Sequence, residues 1–181
     1  MEIVSGDIVL RDSTIEDTDN YVRWNTVETE WMDWDAPWEK DAPFDADDFR
    51  RKKLEFFSEA KDENRLRYRL ELDYKGRHIG SVSSYHIDES YNFAKEGRLA
   101  IGMDIYEPEY WGKGIGGRAY SAYIEYLFSR GYSVLYTQTW SGNMRMIRMA
   151  RRLGFEQCHL EKDARLVQGR AYDRVTFKKV I

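Results

Sequence analysis

The sequence predicts a mixed α/β domain built on one sheet, neither a barrel nor a doubly wound fold. Three observations carry this. Segments with strand and helix periodicity follow one another in the order β-α-α-β-β-β-α-β-α-β-β. Two short turns, Lys75-Gly76 and Gln168-Gly169, each join two strand-like runs and so imply antiparallel hairpins. The chain has 181 residues, 42% hydrophobic, which suffices for one domain (residues 1–181) with its own core, and no repeat, low-complexity tract or linker divides it.

Taken in order, residues 8–10 (Ile-Val-Leu) read as a short strand. Ser13-Thr14-Ile15-Glu16 fits a capping box, with Ser13 as cap, for a helix running to about Thr26 that turns Tyr21, Val22 and Trp24 inward. Residues 27–44 have no clear period and hold Trp31, Trp34, Trp38, two of the three prolines and many acids; they read as an ordered loop with one helical turn. A second helix covers about 45–60, opened by Asp45, with Phe49, Leu54, Phe56 and Phe57 as its apolar set. Residues 68–72 and 79–83 form the first hairpin, and 99–106 form another strand. A helix over 114–130 places Ala119, Ala122, Tyr123, Tyr126 and Leu127 on one face. Residues 134–136 are a buried strand, 143–153 a helix ended by Gly154, and 155–167 with 172–180 the final hairpin.

Composition narrows the function classes. A single cysteine, Cys158, excludes a disulfide within the chain and suits a reducing, cytoplasmic setting. No apolar run reaches the length of a membrane span, and Met1-Glu2-Ile3-Val4-Ser5-Gly6-Asp7 lacks the basic and apolar segments of a signal peptide, so no membrane association is expected. A pI near 5.5 argues against nucleic acid. The net charge of −4 is unevenly spread: residues 1–64 carry 19 acidic and 8 basic side chains, residues 65–181 carry 13 and 20. A basic C-terminal part suits an anionic ligand and an acidic N-terminal part a cationic one, although solvated surface explains both equally well. His78 and His159 form no ligand pattern with Cys158, and no metal is expected. Exposed edge strands make a homodimer plausible.

The most informative stretch is 110–118, Tyr-Trp-Gly-Lys-Gly-Ile-Gly-Gly-Arg, which follows a strand and opens a helix. Glycines let backbone amides approach a ligand, and a helix N-terminus favours a phosphate; Lys113 and Arg118 add positive charge. A triphosphate loop requires Lys followed by Ser or Thr, and here Gly114 follows Lys113. A dinucleotide loop belongs early in a parallel βαβ unit, whereas this one comes late, after a hairpin. A diphosphate carrier such as coenzyme A remains, beside the plain reading of a tight strand-to-helix turn.

On these residues the sequence resembles the GNAT superfamily of N-acetyltransferases, in the branch of ribosomal-protein alanine and spermidine N-acetyltransferases. Trp111-Gly112-Lys113-Gly114-Ile115-Gly116 is similar to the family's pyrophosphate loop, with Trp111 in the Gln/Arg place. Asn143-Met144-Arg145-Met146-Ile147, followed by Leu153-Gly154-Phe155, is similar to its Asn-started helix closed by Leu-Gly-Phe. The resemblance covers residues 99–177 well and the first 98 by order of elements. It implies a GNAT-like mixed, mostly antiparallel central sheet flanked by helices, with an acceptor-side part (1–98) and a coenzyme A-binding part (99–181). It further implies acetyl-CoA as cofactor, held by backbone groups of Asp104, Ile105 and Tyr106, by the loop residues Trp111, Gly112, Lys113, Gly114, Ile115, Gly116 and Gly117, and by Asn143, Arg148 and Arg152. Asn143 is equally the expected cap of its helix.

The activity so implied is transfer of an acetyl group to a primary amine: a protein N-terminus, a polyamine, or a small amino-metabolite or antibiotic. An alkyl ammonium with pKa about 10.4 must lose a proton before attack, at a cost of about 4–5 kcal/mol at pH 7. The Glu that the family often places before an Ile-Gly pair is Ala100 here, and the Tyr seven residues after the Asn is Ala150. Asp104 and His86 are the substitutes for the proton acceptor, and Ser141 for a donor to the thiolate. Trp31, Asp33, Asp35 and Trp38 of the acidic loop are the expected acceptor wall, through charge and cation–π contact, or else a plug over the sheet. Ala100 and Ala150 also leave open a non-catalytic acyl-CoA-binding module with a degenerate active site, and the loop alone a nucleotide-binding regulator.

Overall fold

The computed structural model describes residues 1–59 and 64–180. Its strands are β1 (Glu2–Ser5), β2 (Ile8–Arg11), β3 (Arg69–Tyr74), β4 (Arg77–Ile87), β5 (Phe93–Ala94), β6 (Arg98–Ile105), β7 (Val134–Trp140), β8 (Glu156–Val167) and β9 (Arg170–Val180). The α-helices are α1 (Asp17–Thr26), α2 (Ala46–Ser58), α3 (Ile115–Ser129) and α4 (Met144–Arg152). The strands form one sheet in the order β1-β2-β3-β4-β6-β7-β9-β8, with β5 pairing β4. Every pairing is antiparallel except β6–β7. This is the mixed, mostly antiparallel sheet the sequence implied.

The register separates two faces. Arg11, Glu71, Ser81 and Asp104 are successive partners across β2, β3, β4 and β6. The neighbouring line Leu70, Val82, Met103 points the other way, because side chains alternate along a strand. The apolar face takes α3 and α4: Ile115, Ala119, Tyr120, Tyr123, Leu127, Ile147 and Ala150 join Leu10, Leu70, Leu72, Val82, Ile101, Leu135, Val175 and Phe177 in one core. The polar face takes α1, α2 and the loop between them, where Tyr21, Trp24 and Tyr106 form a smaller aromatic cluster.

Three local readings need correction. The capping box does not form. Asp17 accepts from the Thr14 amide (2.7 Å) and from two Arg11 nitrogens (2.8 Å each), so α1 starts one turn later, and the Ser13 hydroxyl is buried without a partner. The strand at residues 8–10 is one arm of a hairpin, since Glu2–Ser5 pairs with it across Gly6, which takes the left-handed φ of 63° that such a turn needs. The apolar set of α2 is not a buried stripe: Leu54 and Phe56 are 60% and 40% exposed, and Phe49 is the residue that reaches Tyr21. Asp45 does cap α2, accepting from the amides of Asp47 and Asp48 at 3.0 and 2.9 Å. Residue 60 lies outside the described residues.

Candidate active site where two strands part

Strands β6 and β7 run side by side yet share a single bridge, Ala100 opposite Tyr136. Beyond it they diverge. The first carbonyl left without a ladder partner, Ile101 O, accepts from Thr137 Oγ1 at 2.8 Å, and the Tyr120 hydroxyl lies 2.8 Å from both oxygens. An unpaired buried carbonyl is costly, so these hydroxyls let the ladder stop there. The opening between the strands is a cleft of about 1200 Å³, lined by Gly102, Met103, Asp104 and Ile105 of β6, Gln138 and Thr139 of β7, the turn into α3, the first turns of α4, and Trp31, Trp34 and Asp35.

The turn into α3 forms one wall. Gly112 and Gly114 have left-handed φ values of 73° and 76°, and a Cβ added at either would meet nothing within 4 Å. These glycines therefore serve backbone conformation and leave the main chain open to approach. Gly114 supplies no side-chain acceptor to α3, whereas Asp45 and Asn143 cap α2 and α4. The first amides of α3 have no partner within the helix, and Ile115, Gly116 and Gly117 line the cleft. Trp111 donates its indole N–H to Ile105 O at 2.8 Å, fixing the turn to the end of β6. Arg148 and Arg152 line the same cleft and, among the described residues, form no ion pair; Arg118 also lines it, paired with Asp7 at 2.6 Å. The residues fit an elongated ligand ending in phosphates.

Not every expected residue reaches the cleft. Tyr106 is buried against Trp24 (ring centres 4.3 Å apart), with its hydroxyl on Arg69 at 3.0 Å. Lys113 points over the Tyr110 ring, 5.8 Å from its centre. His86 lies on β4 opposite Leu99, five residues beyond Ser81, the partner of Asp104, and about 17 Å away at strand rise; its ring meets Tyr68. Ser141 is a turn residue: its hydroxyl accepts from the Asp173 amide at 3.1 Å and its own amide donates to Asp173 O at 2.9 Å. Asp33 is held outside by Lys40 at 2.6 Å. Trp38 does not line the cleft; it lies under Arg165 and edge-on to Trp140. Asn143 is committed on both sides, its Oδ1 to the Met146 amide (3.0 Å) and its Nδ2 to Trp34 O (2.7 Å).

Asp35 and Asp104 do reach it. Burial and the charge of Glu39 push Asp35 up to about 6. Burial, and then the charge of Asp35, push Asp104 well above the usual carboxylate range, against the opposing pull of Arg69. Water still touches Asp35 freely and Asp104 in part, because the cleft is open; the walls around them, rather than loss of all water contact, disfavour the charged forms.

Beneath them runs a partly buried charge chain that sequence reading missed. Arg11 pairs with Asp73 and Asp17; His78 lies 3.1 Å from both Asp17 and Glu71; Arg69 donates to Ser81 (2.8 Å), Tyr106 (3.0 Å) and Tyr21. Desolvation works against a charge on His78, but the two carboxylates prevail and raise it to about 9. No motif announces such a chain, since Arg11 meets Asp73 across 62 residues of sequence through the pairing of β2 with β3, and Asp17 meets His78 only because α1 packs on the sheet.

The model of the acetyltransferase (GNAT) domain matches residues 7–156. The chain belongs to the GNAT acetyltransferases. It is accordingly an N-acetyltransferase that uses acetyl-CoA. No curated protein sequence matches. Solved structures share the fold at low identity. A ribosomal L7/L12 alpha-N-protein acetyltransferase, RimL, in complex with coenzyme A, is 17% identical with a TM-score of 0.75, over 100% of this chain and 98% of that one. The ribosomal-protein-S5-alanine acetyltransferase of Vibrio fischeri is 17% identical at 0.76, over 99% and 96%. The microcin C7 self-immunity acetyltransferase MccE, in complex with acetyl-CoA and AMP, is 21% identical at 0.72, over 98% and 94%. No helix among the described residues of this GNAT chain is long and apolar enough to cross a membrane.

Proposed function

We propose that the protein acetylates a primary amine by direct transfer within a ternary complex, in the cytoplasm, with Asp35 and Asp104 as the proton-handling pair. The observation that carries this is the placement of two carboxylates, both raised above the usual carboxylate range, on the cleft where β6 and β7 part. Acetyl-CoA brings the acetyl group as a thioester. The open amides of residues 112–117 and the unpaired Arg148 and Arg152 hold its phosphates.

Asp35, ionised above about pH 6, attracts the acceptor as an ammonium and takes its first proton; Trp31 and Trp34 wall the place where that cation rests. The neutral nitrogen then forms the new C–N bond as the C–S bond breaks. Asp104, on which burial and then the charge of Asp35 hold a proton, gives it to the departing sulfur and recovers one from the acetylated nitrogen. Asp35 returns its proton to water, so one ammonium and one thioester yield one amide, one thiol and one proton. The donor's role for Asp104 differs from the acceptor's role expected from sequence, because two neighbouring carboxylates do not ionise together.

Free-thiol release across pH, with a panel of monoamines, polyamines and N-terminal peptides, tests this. The kcat/KM should rise through about pH 6 and fall again where Asp104 loses its proton. Asp35→Asn should remove the rising limb; Asp104→Asn should remove the falling limb and slow the reaction by about 10²–10⁴-fold. Both limbs surviving in both variants refutes the pair.

A further inference from the structure

The acceptor loop and the phosphate-side turn are far apart in sequence, yet one side chain touches both. The guanidinium of Arg145, in the first turn of α4, lies 3.9 Å from the centre of the Trp34 ring and 4.5 Å from that of Trp111. Among the described residues Arg145 has no carboxylate partner, and its guanidinium lies over these two indoles. A planar cation between two indole faces is a favourable arrangement that a lysine cannot reproduce, since an ammonium lies over one ring but does not stack flat between two.

The main chain at Trp34 is fixed from the same side. Its carbonyl accepts from Asn143 Nδ2 at 2.7 Å and from Trp140 Nε1 at 2.8 Å. The Trp140 ring folds so closely over Gly142 that any Cβ there would stand 1.8 Å from it, which explains the glycine in Trp-Ser-Gly-Asn. Trp111, on the other side of the sandwich, is tied to Ile105 O. Trp34, Trp111, Asn143 and Arg145 all line the cleft, and the residue after Trp34 is Asp35.

We infer that Arg145 is a positioning residue that clasps the acceptor loop to the cofactor loop, so that ligand in the phosphate-side half of the cleft sets the place of Asp35. This rests on the reading of residues 112–117 as the cofactor side and residues 28–41 as the acceptor side. By linkage, whatever coenzyme A does for the acceptor site, an acceptor amine does equally for coenzyme A, and coupled sites differ by about 5–150-fold in affinity.

The test uses coenzyme A as the probe and amide exchange of residues 31–38 as the readout, in the full chain. In the natural protein, saturating coenzyme A should slow exchange over 31–38 by about fivefold or more. In Arg145→Ala at saturating coenzyme A, the ligand-dependent slowing should vanish, while slowing around 112–117 persists. Arg145→Lys should behave like the alanine variant. A merely structural role would raise exchange with and without ligand alike and leave the difference between them intact. Retention of that difference in Arg145→Ala, or no change over 31–38 in the natural protein despite slowing at 112–117, overturns the clasp. No slowing at either segment overturns instead the cofactor-side reading on which it rests. If Arg145→Ala fails to fold, Trp34→Phe supplies the same comparison: its smaller ring should reduce the ligand-dependent slowing, and an unreduced difference counts against the clasp.

Discussion

Gly114→Glu offers a direct trial of the phosphate side. The native φ is 76°, where a residue with a Cβ costs about 1–2 kcal/mol. No atom lies within 4 Å of the added Cβ, so no steric term is added, and a domain with about 5–15 kcal/mol of stability remains folded. The new carboxylate enters the open space in front of the first amides of α3. At about 5 Å from a phosphate charge, and at an effective dielectric of about 20, the repulsion is about 3 kcal/mol per charge. With two nearby charges and about half of the total lost to screening, the net penalty is about 3 kcal/mol, which weakens binding by roughly 150-fold. Calorimetric titration with coenzyme A reads this, alongside pantetheine, which lacks the phosphates and should be affected much less. Gly114→Ala separates strain from charge and should shift the dissociation constant by less than about tenfold. A folded Gly114→Glu protein that binds coenzyme A within about threefold of the natural chain would refute the assignment of this turn to phosphate.

Two further perturbations bear on the scaffold. His78 is charged between Asp17 and Glu71, with a folded pKa of about 9 against 6.5 in the unfolded chain. A raised histidine contributes stability that is fully present below pH 6.5 and lost as pH rises through about 9. Denaturant midpoints should therefore fall over that window by the equivalent of about 3 kcal/mol, and His78→Gln should flatten the fall. Tyr120→Phe removes a hydroxyl that helps to satisfy Ile101 O where the ladder stops, and should cost about 1–3 kcal/mol in urea unfolding; a change below about 0.5 kcal/mol would show that Thr137 suffices alone.

The fold was legible because its punctuation is strong. Lys75-Gly76 and Gln168-Gly169 mark hairpins that form, and Asn143 and Gly154 bracket α4 as a cap and a stop should. The turn into α3 was legible for the same reason, since Gly112 and Gly114 sit at φ values that few other residues adopt. What stayed hidden depends on register. Asp35 and Asp104 were nominated separately, for different duties, and nothing in the spacing of residues 35 and 104 says that they share one cleft. His86 was nominated as a histidine close behind a strand, a substitute proton acceptor, yet it lies five residues beyond Ser81 on β4, well away from the cleft. Arg145 was one of four arginines on a short helix, and only the placing of two tryptophans distinguishes it from Arg151, which lines no part of the cleft.

The single bridge between β6 and β7 has a consequence for how such a protein can be retuned. In an ordinary sheet the gap between neighbouring strands is set by the backbone, at about 4.8 Å, and no side chain can alter it. Here the two halves of the sheet, β1 to β6 and β7 to β9, rest against a shared layer of side chains that includes Tyr120, Ile147 and Phe155. Those residues act as shims. Adding or removing a methylene among them is expected to shift the width and tilt of the opening while leaving every residue that lines it unchanged. Interior volume, a property normally read only as stability, becomes in this architecture a dial for what the enzyme can admit.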